Sequence, residues 1–252
     1  MIDLKKKLKN RELVIGSWLQ LNSPDVAEIL AKWFEWLVID MEHGAISIGD
    51  LPDMLRAVES GGAYPLVRLS ENNPFLIKRV LDAGARGIVV PMIKTALEAQ
   101  NAVKAAKYPP EGGRGIGYSR ANNYGVNFKE YFGSFNREVV IIIQIEAIEA
   151  VRNIDSIFSV KGIDAFIIGP YDLSGSMNKT GKFNSHEFVR AVKTVYASAE
   201  KNKITAGIHV IPPSPEEVKS RISEGFKFIA VSTDAFMAIN MAQNILKEIG
   251  RK

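Results

Sequence analysis

The chain has 252 residues, of which 46% are hydrophobic and 24% charged, enough apolar mass for one large core and unlike a disordered, collagenous or disulfide-stapled chain. Thirty-two Lys and Arg against 28 Asp and Glu leave a net charge of +4, too slight at this length to argue for nucleic acid and compatible with an anionic small substrate. Cysteine is absent, which removes thiolate nucleophiles, thiolate zinc sites and iron–sulfur clusters and is consistent with a cytoplasmic chain.

The N-terminal MIDLKKKLKNREL has no apolar run after it, so no secretory signal is expected. No stretch reaches the ~20 apolar residues that span a bilayer; EVVIIIQIEA is broken by Gln144 and Glu146. Eight short β-branched or aromatic runs then follow: 14–19, 36–40, 65–69, 87–91, 139–145, 165–169, 205–210 and 226–232. They are continuous rather than alternating, as strands buried on both faces are. Ser23-Pro24-Asp25 opens a helix with a cap followed by proline. Segments 47–59, 73–82, 95–106, 185–203, 214–224 and 234–247 carry apolar residues at helical spacing, with Gly84 and Gly225 as C-caps. Two polar stretches, 108–137 and 174–184, read as loops, the first long enough to be functional or ordered by a partner.

Eight strands alternating with helices in this length predict a single-domain (β/α)8 barrel over residues 1–252. The alternative, a doubly wound sheet, lacks a GxGxxG after the first strand, where the sequence is GSWLQLNSP. Barrel chemistry sits at the C-terminal ends of the strands. There the chain places Asp40, Glu42 and His43, then Arg68, Gln144 and Glu146, Gly169-Pro170-Tyr171-Asp172, His209, Ser232 and Asp234. Glu146 and Asp172 offer hard oxygen ligands for magnesium or manganese; a helix-opening carboxylate and a turn cap are the plainer alternatives. His43 lies in a loop, where it could serve as a general base or simply rest against a carboxylate. Arg68 interrupts an apolar strand and needs an anion, from the protein or from a substrate carboxylate. Asp82 could be a plain helix terminus, His209 a core residue, and the 111–117 glycine–arginine segment a flexible active-site loop. No strand end offers a lysine for a Schiff base, since Lys227 stands at the start of its strand.

An ordered set of motifs carries a resemblance: Asp40-x-Glu42-His43-Gly44, Val67-Arg68, Leu81-Asp82-x-Gly84, Val89-Val90-Pro91-Met92, Tyr108-Pro109-Pro110, Arg114-Gly115-x-Gly117, Gln144-x-Glu146, Gly169-Pro170-x-Asp172-Leu173-Ser174 and Gly207-Ile208-His209. The chain resembles the HpcH/HpaI aldolases, metal-dependent pyruvate aldolases acting on 2-keto-3-deoxy acids, over roughly residues 10–245. The resemblance implies a barrel of the phosphoenolpyruvate/pyruvate type that reversibly cleaves such an acid to pyruvate and an aldehyde through a metal-stabilised enolate. It implies Glu146 and Asp172 as ligands of Mg2+ or Mn2+ (or Co2+), and Arg68 against the keto oxygen. It makes His43, paired with Asp82, the base, and Gln144, Gly169, Pro170 and Asp172 substrate contacts. It implies a hexamer, a trimer of dimers, with the last helix docked on a neighbour. Loops 45–49, 108–137 and 174–184 would set the aldehyde, Lys179 and Lys182 being either anion contacts or solvated surface. Two other readings share these residues: a barrel that binds a keto acid without turning it over, and a citrate-lyase-β-like lyase acting on a coenzyme A thioester.

Overall fold

A computed structural model describes residues 2–251. Eight parallel strands close into a barrel in chain order: β1 (Val14–Leu19), β2 (Trp36–Asp40), β3 (Tyr64–Arg68), β4 (Gly87–Val90), β5 (Val140–Ile145), β6 (Ala165–Ile168), β7 (Thr205–Val210) and β8 (Phe228–Thr233). The helices, in chain order, are α1 (Leu4–Lys9), α2 (Pro24–Ala31), α3 (Leu51–Gly61), α4 (Pro74–Asp82), α5 (Ala96–Ala106), α6 (Phe128–Glu138), α7 (Ile148–Arg152), α8 (Ile154–Phe158), α9 (Pro170–Ser176), α10 (His186–Asn202), α11 (Pro215–Ser223) and α12 (Asp234–Glu248). Side-chain caps set several helix starts, among them Ser23, Asn73, Ser214 and a Thr95–Glu98 capping box. Among the described residues no helix is long and apolar enough to cross a membrane.

Each strand is apolar on both faces because it separates two cores. Trp18, Val38, Leu66, Val89, Ile142 and Ile167 fill the barrel, while Leu37, Ile39, Val67, Ile141 and Ile143 meet the helices. Trp36 is fully buried inside and stacks on Phe228 with ring centroids 4.0 Å apart. Gly16 makes the room: a Cβ there would lie 2.1 Å from the Trp36 ring.

The long 108–137 connection contains a helix where the sequence predicts a loop. Tyr131, Phe132 and Phe135 of α6 pack on Tyr108, a contact local periodicity does not reveal. Arg114 belongs to this packing rather than to a flexible loop: it is buried over Tyr108 and Phe135 and paired with Asp82 at 2.5 Å. The polar stretch 174–184 likewise begins inside α9. In the charged N-terminal stretch, α1 buries just Leu4 and Leu8, which join the core inside the barrel. The last helix, α12, has its main contacts with β1 and β8 and leaves Ile239, Met241, Ile245 and Leu246 exposed, as is Ile249 just after it.

Candidate active site

The parallel register sets Asp40 at the end of β2 directly beside Arg68 at the end of β3. Arg68 Nε donates to Asp40 Oδ1 at 2.8 Å and Nη2 to Oδ2 at 2.6 Å, a bidentate pair in which Asp40 is fully buried. Asp40 Oδ1 also accepts from the backbone N–H groups of Glu42 and His43, at 3.0 and 3.2 Å, and so shapes the loop that carries them. Burial alone would raise the Asp40 carboxyl, but the hydrogen bonds and charge of Arg68 outweigh it and hold the group below its ordinary value. Arg68 Nη1 lies 2.8 Å from Glu42 Oε2, an oxygen that is buried without a well-directed hydrogen bond. The guanidinium also lies over Trp18, 4.4 Å from the ring centroid. The anion that Arg68 requires is therefore first of all a pair of protein carboxylates.

Glu146 leaves the end of β5 and is buried. Its Oε1 accepts from Met92 N at 2.5 Å, and its Oε2 from the Gln144 amide. Met92 presents that N–H from a left-handed conformation, φ 56°. Burial raises the Glu146 carboxyl above its ordinary value; the two hydrogen bonds oppose this and the nearby charge of Asp172 adds to it. Asp172 comes from the first turn of α9, just beyond β6. Gly169 keeps the approach open, since a Cβ there would sit 3.2 Å from both Gln144 Nε2 and Glu146 Oε2. Burial among these groups pushes Glu42 up to about 7, Arg68 pulling it down and the charges of Glu146, Asp40 and Asp172 pushing it up. Two carboxylates thus pair with the guanidinium, and the charges of Glu146 and Asp172 reach the same cluster.

Arg68 and Asp172 border a cavity of about 230 Å³, lined also by His43, Gln144, Gly169 and Pro170 from the sequence-predicted set and by Trp18, Gln20 and His209, whereas Asp40, Glu42 and Glu146 are not among its lining residues. His43 is exposed at its edge. Asp82 is not there. It ends α4, which runs back against the strands, so it lies near the start of β4 while His43 follows the end of β2. Within one chain the predicted His43–Asp82 pair is not made, and Asp82 holds Arg114 instead. The 3-10 turn Arg120–Gly125 is likewise at the strand-start end, with Arg120 bonded to Glu59 and to the Ala83 carbonyl. Lys179 and Lys182 do not line the cavity.

Glu42 and His209 are visible as strand-end residues, but the shifted proton affinity of Glu42 comes from Arg68, Glu146, Asp40 and Asp172 around it. Trp18, which strand-end reading does not single out, lines the cavity and stacks with His209, centroids 5.3 Å apart.

A family model described as HpcH/HpaI aldolase/citrate lyase matches residues 14–241. The chain is 37% identical over 95% of its length to a 2-dehydro-3,6-dideoxy-6-sulfogluconate aldolase of Pseudomonas putida, 93% of which is covered. It is 34% identical over 96% of its length to a hydroxypyruvate/pyruvate aldolase of Roseobacter denitrificans, covered to 94%. The crystal structure of an HpcH/HpaI aldolase/citrate lyase family protein from Burkholderia cenocepacia superposes with a TM-score of 0.94 at 31% identity, covering 99% of both chains. With the barrel, the mouth residues and the full-length matches in agreement, this chain belongs to the HpcH/HpaI aldolase/citrate lyase family and is a carbon–carbon lyase.

Proposed function

We propose that this lyase is a divalent-metal-dependent aldolase that reversibly cleaves a 2-keto-3-deoxy acid to pyruvate and an aldehyde. The observation that carries this is the charge imbalance of the mouth, where Asp40 and Glu42 pair with the single guanidinium of Arg68 and buried Glu146 and exposed Asp172 add two further acids. Such an excess of acid groups fits a hard divalent cation. Among the described residues no group of three or more His, Asp or Glu side chains is spaced to hold a metal. On the family pattern Glu146 and Asp172 would be the two protein ligands, which suits Mg2+ or Mn2+, ions that leave positions to water and substrate. A bound cation would supply Lewis-acid charge to the keto and carboxylate oxygens of the pyruvyl end.

The protein groups then divide the remaining work. Arg68 has five N–H groups; Asp40 takes two and Glu42 faces a third, leaving two for oxygen charge that develops as the carbon–carbon bond breaks. Because the guanidinium is clamped before substrate arrives, it need not reorganise. His43 at the cavity edge takes the proton from the substrate hydroxyl and returns it in the aldol direction. Gln144, already donating to Glu146, fixes that carboxylate, and Gly169 with Pro170 forms the wall against which the substrate carboxylate lies. Assembly as a homo-oligomer, a hexamer on the family pattern, is supported by the uncovered apolar side of α12.

The test is pyruvate release from a panel of 2-keto-3-deoxy acids. Release should stop on chelation and return with Mg2+ or Mn2+, and Glu146→Ala and Asp172→Ala should each abolish metal binding in calorimetry. Full turnover after exhaustive chelation, or a borohydride-trapped adduct with pyruvate, would overturn it.

A further inference from the structure

Asp234 stands just beyond β8 at the barrel mouth and is buried, yet the mechanism above does not use it. It is not needed to start α12. That helix is capped by the Thr233 hydroxyl, which accepts from Phe236 N at 3.1 Å. The Asp234 carboxylate turns to the end of β1 instead. Its Oδ1 accepts from the backbone N–H of Gln20 at 2.9 Å and its Oδ2 from that of Leu21 at 3.0 Å. Oδ1 also takes the N–H of Ala235 at 2.7 Å. The β1–β8 ladder shifts register between Gly16 and Trp18, and its last pair is Trp18 with Thr233. Beyond that pair the strands no longer satisfy each other's backbone groups, and the side chain of Asp234 continues the joint.

The turn fixed in this way backs the loop that carries His43. Gly44, the next residue, lies against Gln20: a Cβ there would sit 3.0 Å from Gln20 O, 3.3 Å from Gln20 Cα and 2.4 Å from Asp40 O. The loop is therefore wedged between two backbones. On one side Asp40 holds it through the N–H groups of Glu42 and His43. On the other it meets Gln20, whose N–H Asp234 holds. His43 is itself exposed at the cavity edge, so the backbone of its loop decides where the imidazole stands. On the aldolase reading, we infer that Asp234 is a positioning residue for the base: by clamping Gln20 and Leu21 it keeps the His43 loop at the cavity. Glu146 and Asp172 follow β5 and β6, across the closed barrel from β1, β2 and β8, and are set independently of this clamp.

The test measures exchange of the pyruvate methyl protons in deuterated water and, by calorimetry, the affinity for Mn2+. Asp234→Ala should slow exchange about 10²-fold, the effect of a displaced catalytic group, and leave Mn2+ affinity at the native value. Asp234→Asn, which keeps the shape and one acceptor, should slow it about tenfold, the weight of one hydrogen bond, and serves if the alanine variant does not fold. In a His43→Ala background Asp234→Ala should slow exchange little further, because the group it positions is gone. A purely structural acid would lower the melting temperature and leave exchange by the folded variants at the native rate. That result would overturn the inference, as would the same fractional loss with and without His43, or Mn2+ affinity falling in step with the rate. Native exchange with unmoved Asp234 variants removes the role of Asp234 alone; absence of native exchange removes the aldolase reading and this inference with it.

Discussion

Replacing Asp40 by Asn keeps the shape of the β2 end and removes one charge from a buried pair. In the native protein the Asp40 side chain is 1% exposed and that of Arg68 9% exposed, so water cannot take over the lost interaction. Breaking one partner of such a pair costs about 3–5 kcal/mol, because the other charge stays buried. Glu42 still faces Nη1, which places the expected loss at the lower end, about 3 kcal/mol. For a chain of this size that is a fall in Tm of roughly 10 °C, measurable by calorimetry in the presence and absence of metal. The pH dependence has a fixed sign. Asp40 is depressed in the folded state, so its contribution is complete above the ordinary carboxylate range, about 4, and is lost as pH falls through the folded value. Native protein should therefore destabilise more steeply in acid than Asp40→Asn. A loss below about 1 kcal/mol, with unchanged acid sensitivity, would refute the claim that Asp40 holds Arg68 in place.

Glu42 has the opposite sign: its folded value, about 7, lies above the ordinary 4.5, so stability falls as pH rises through that window. In metal-free protein Glu42→Gln should match the native chain near pH 4 and exceed it at pH 8 by roughly 3 kcal/mol, read from urea midpoints; parallel pH curves would contradict this. Asp82→Ala should cost roughly 2–3 kcal/mol, since it strands the buried Arg114 while Asp82 itself is 29% exposed. The double variant Asp82→Ala/Arg114→Met should recover most of that loss, and simple additivity in the cycle would argue against a coupled pair. Sedimentation should show an oligomer that Ile239→Asp with Ile245→Asp dissociates; a native monomer at micromolar concentration would contradict the interface reading of α12.

The barrel is legible because each strand is a continuous apolar run, a pattern that needs both faces covered and so dictates helices outside and a filled interior. Shorter elements hide. In α1 the hydrophobic side is two leucines among lysines, and α7 and α8 are five residues each, too short to show a period. The aromatic face of α6 makes sense only once Tyr108 is brought against it. At the site, Arg68, Gln144, Glu146 and Asp172 are recognisable because polar groups at strand ends are costly unless used. Within one chain Asp82 lies at the opposite end of the barrel from His43, because it closes a helix before a strand whereas His43 follows one. Glu42 and His209 are visible at strand ends, but their shifted proton affinities are not: they come from burial and from charges brought in by neighbouring elements, which no local pattern encodes.

On the proposed mechanism the clamped Arg68, His43 and a cation held by Glu146 and Asp172 activate pyruvate at the barrel mouth. Proton exchange at the pyruvate methyl group in deuterated water, followed by NMR, tests it without any acceptor aldehyde. Metal-loaded native protein should exchange the methyl protons, chelated protein should not, and His43→Ala and Arg68→Ala should each slow exchange by about 10²-fold or more, as loss of a general base or an electrostatic stabiliser does. Tight binding of pyruvate by the metal-loaded protein with no exchange, or exchange indifferent to both substitutions, would contradict the account.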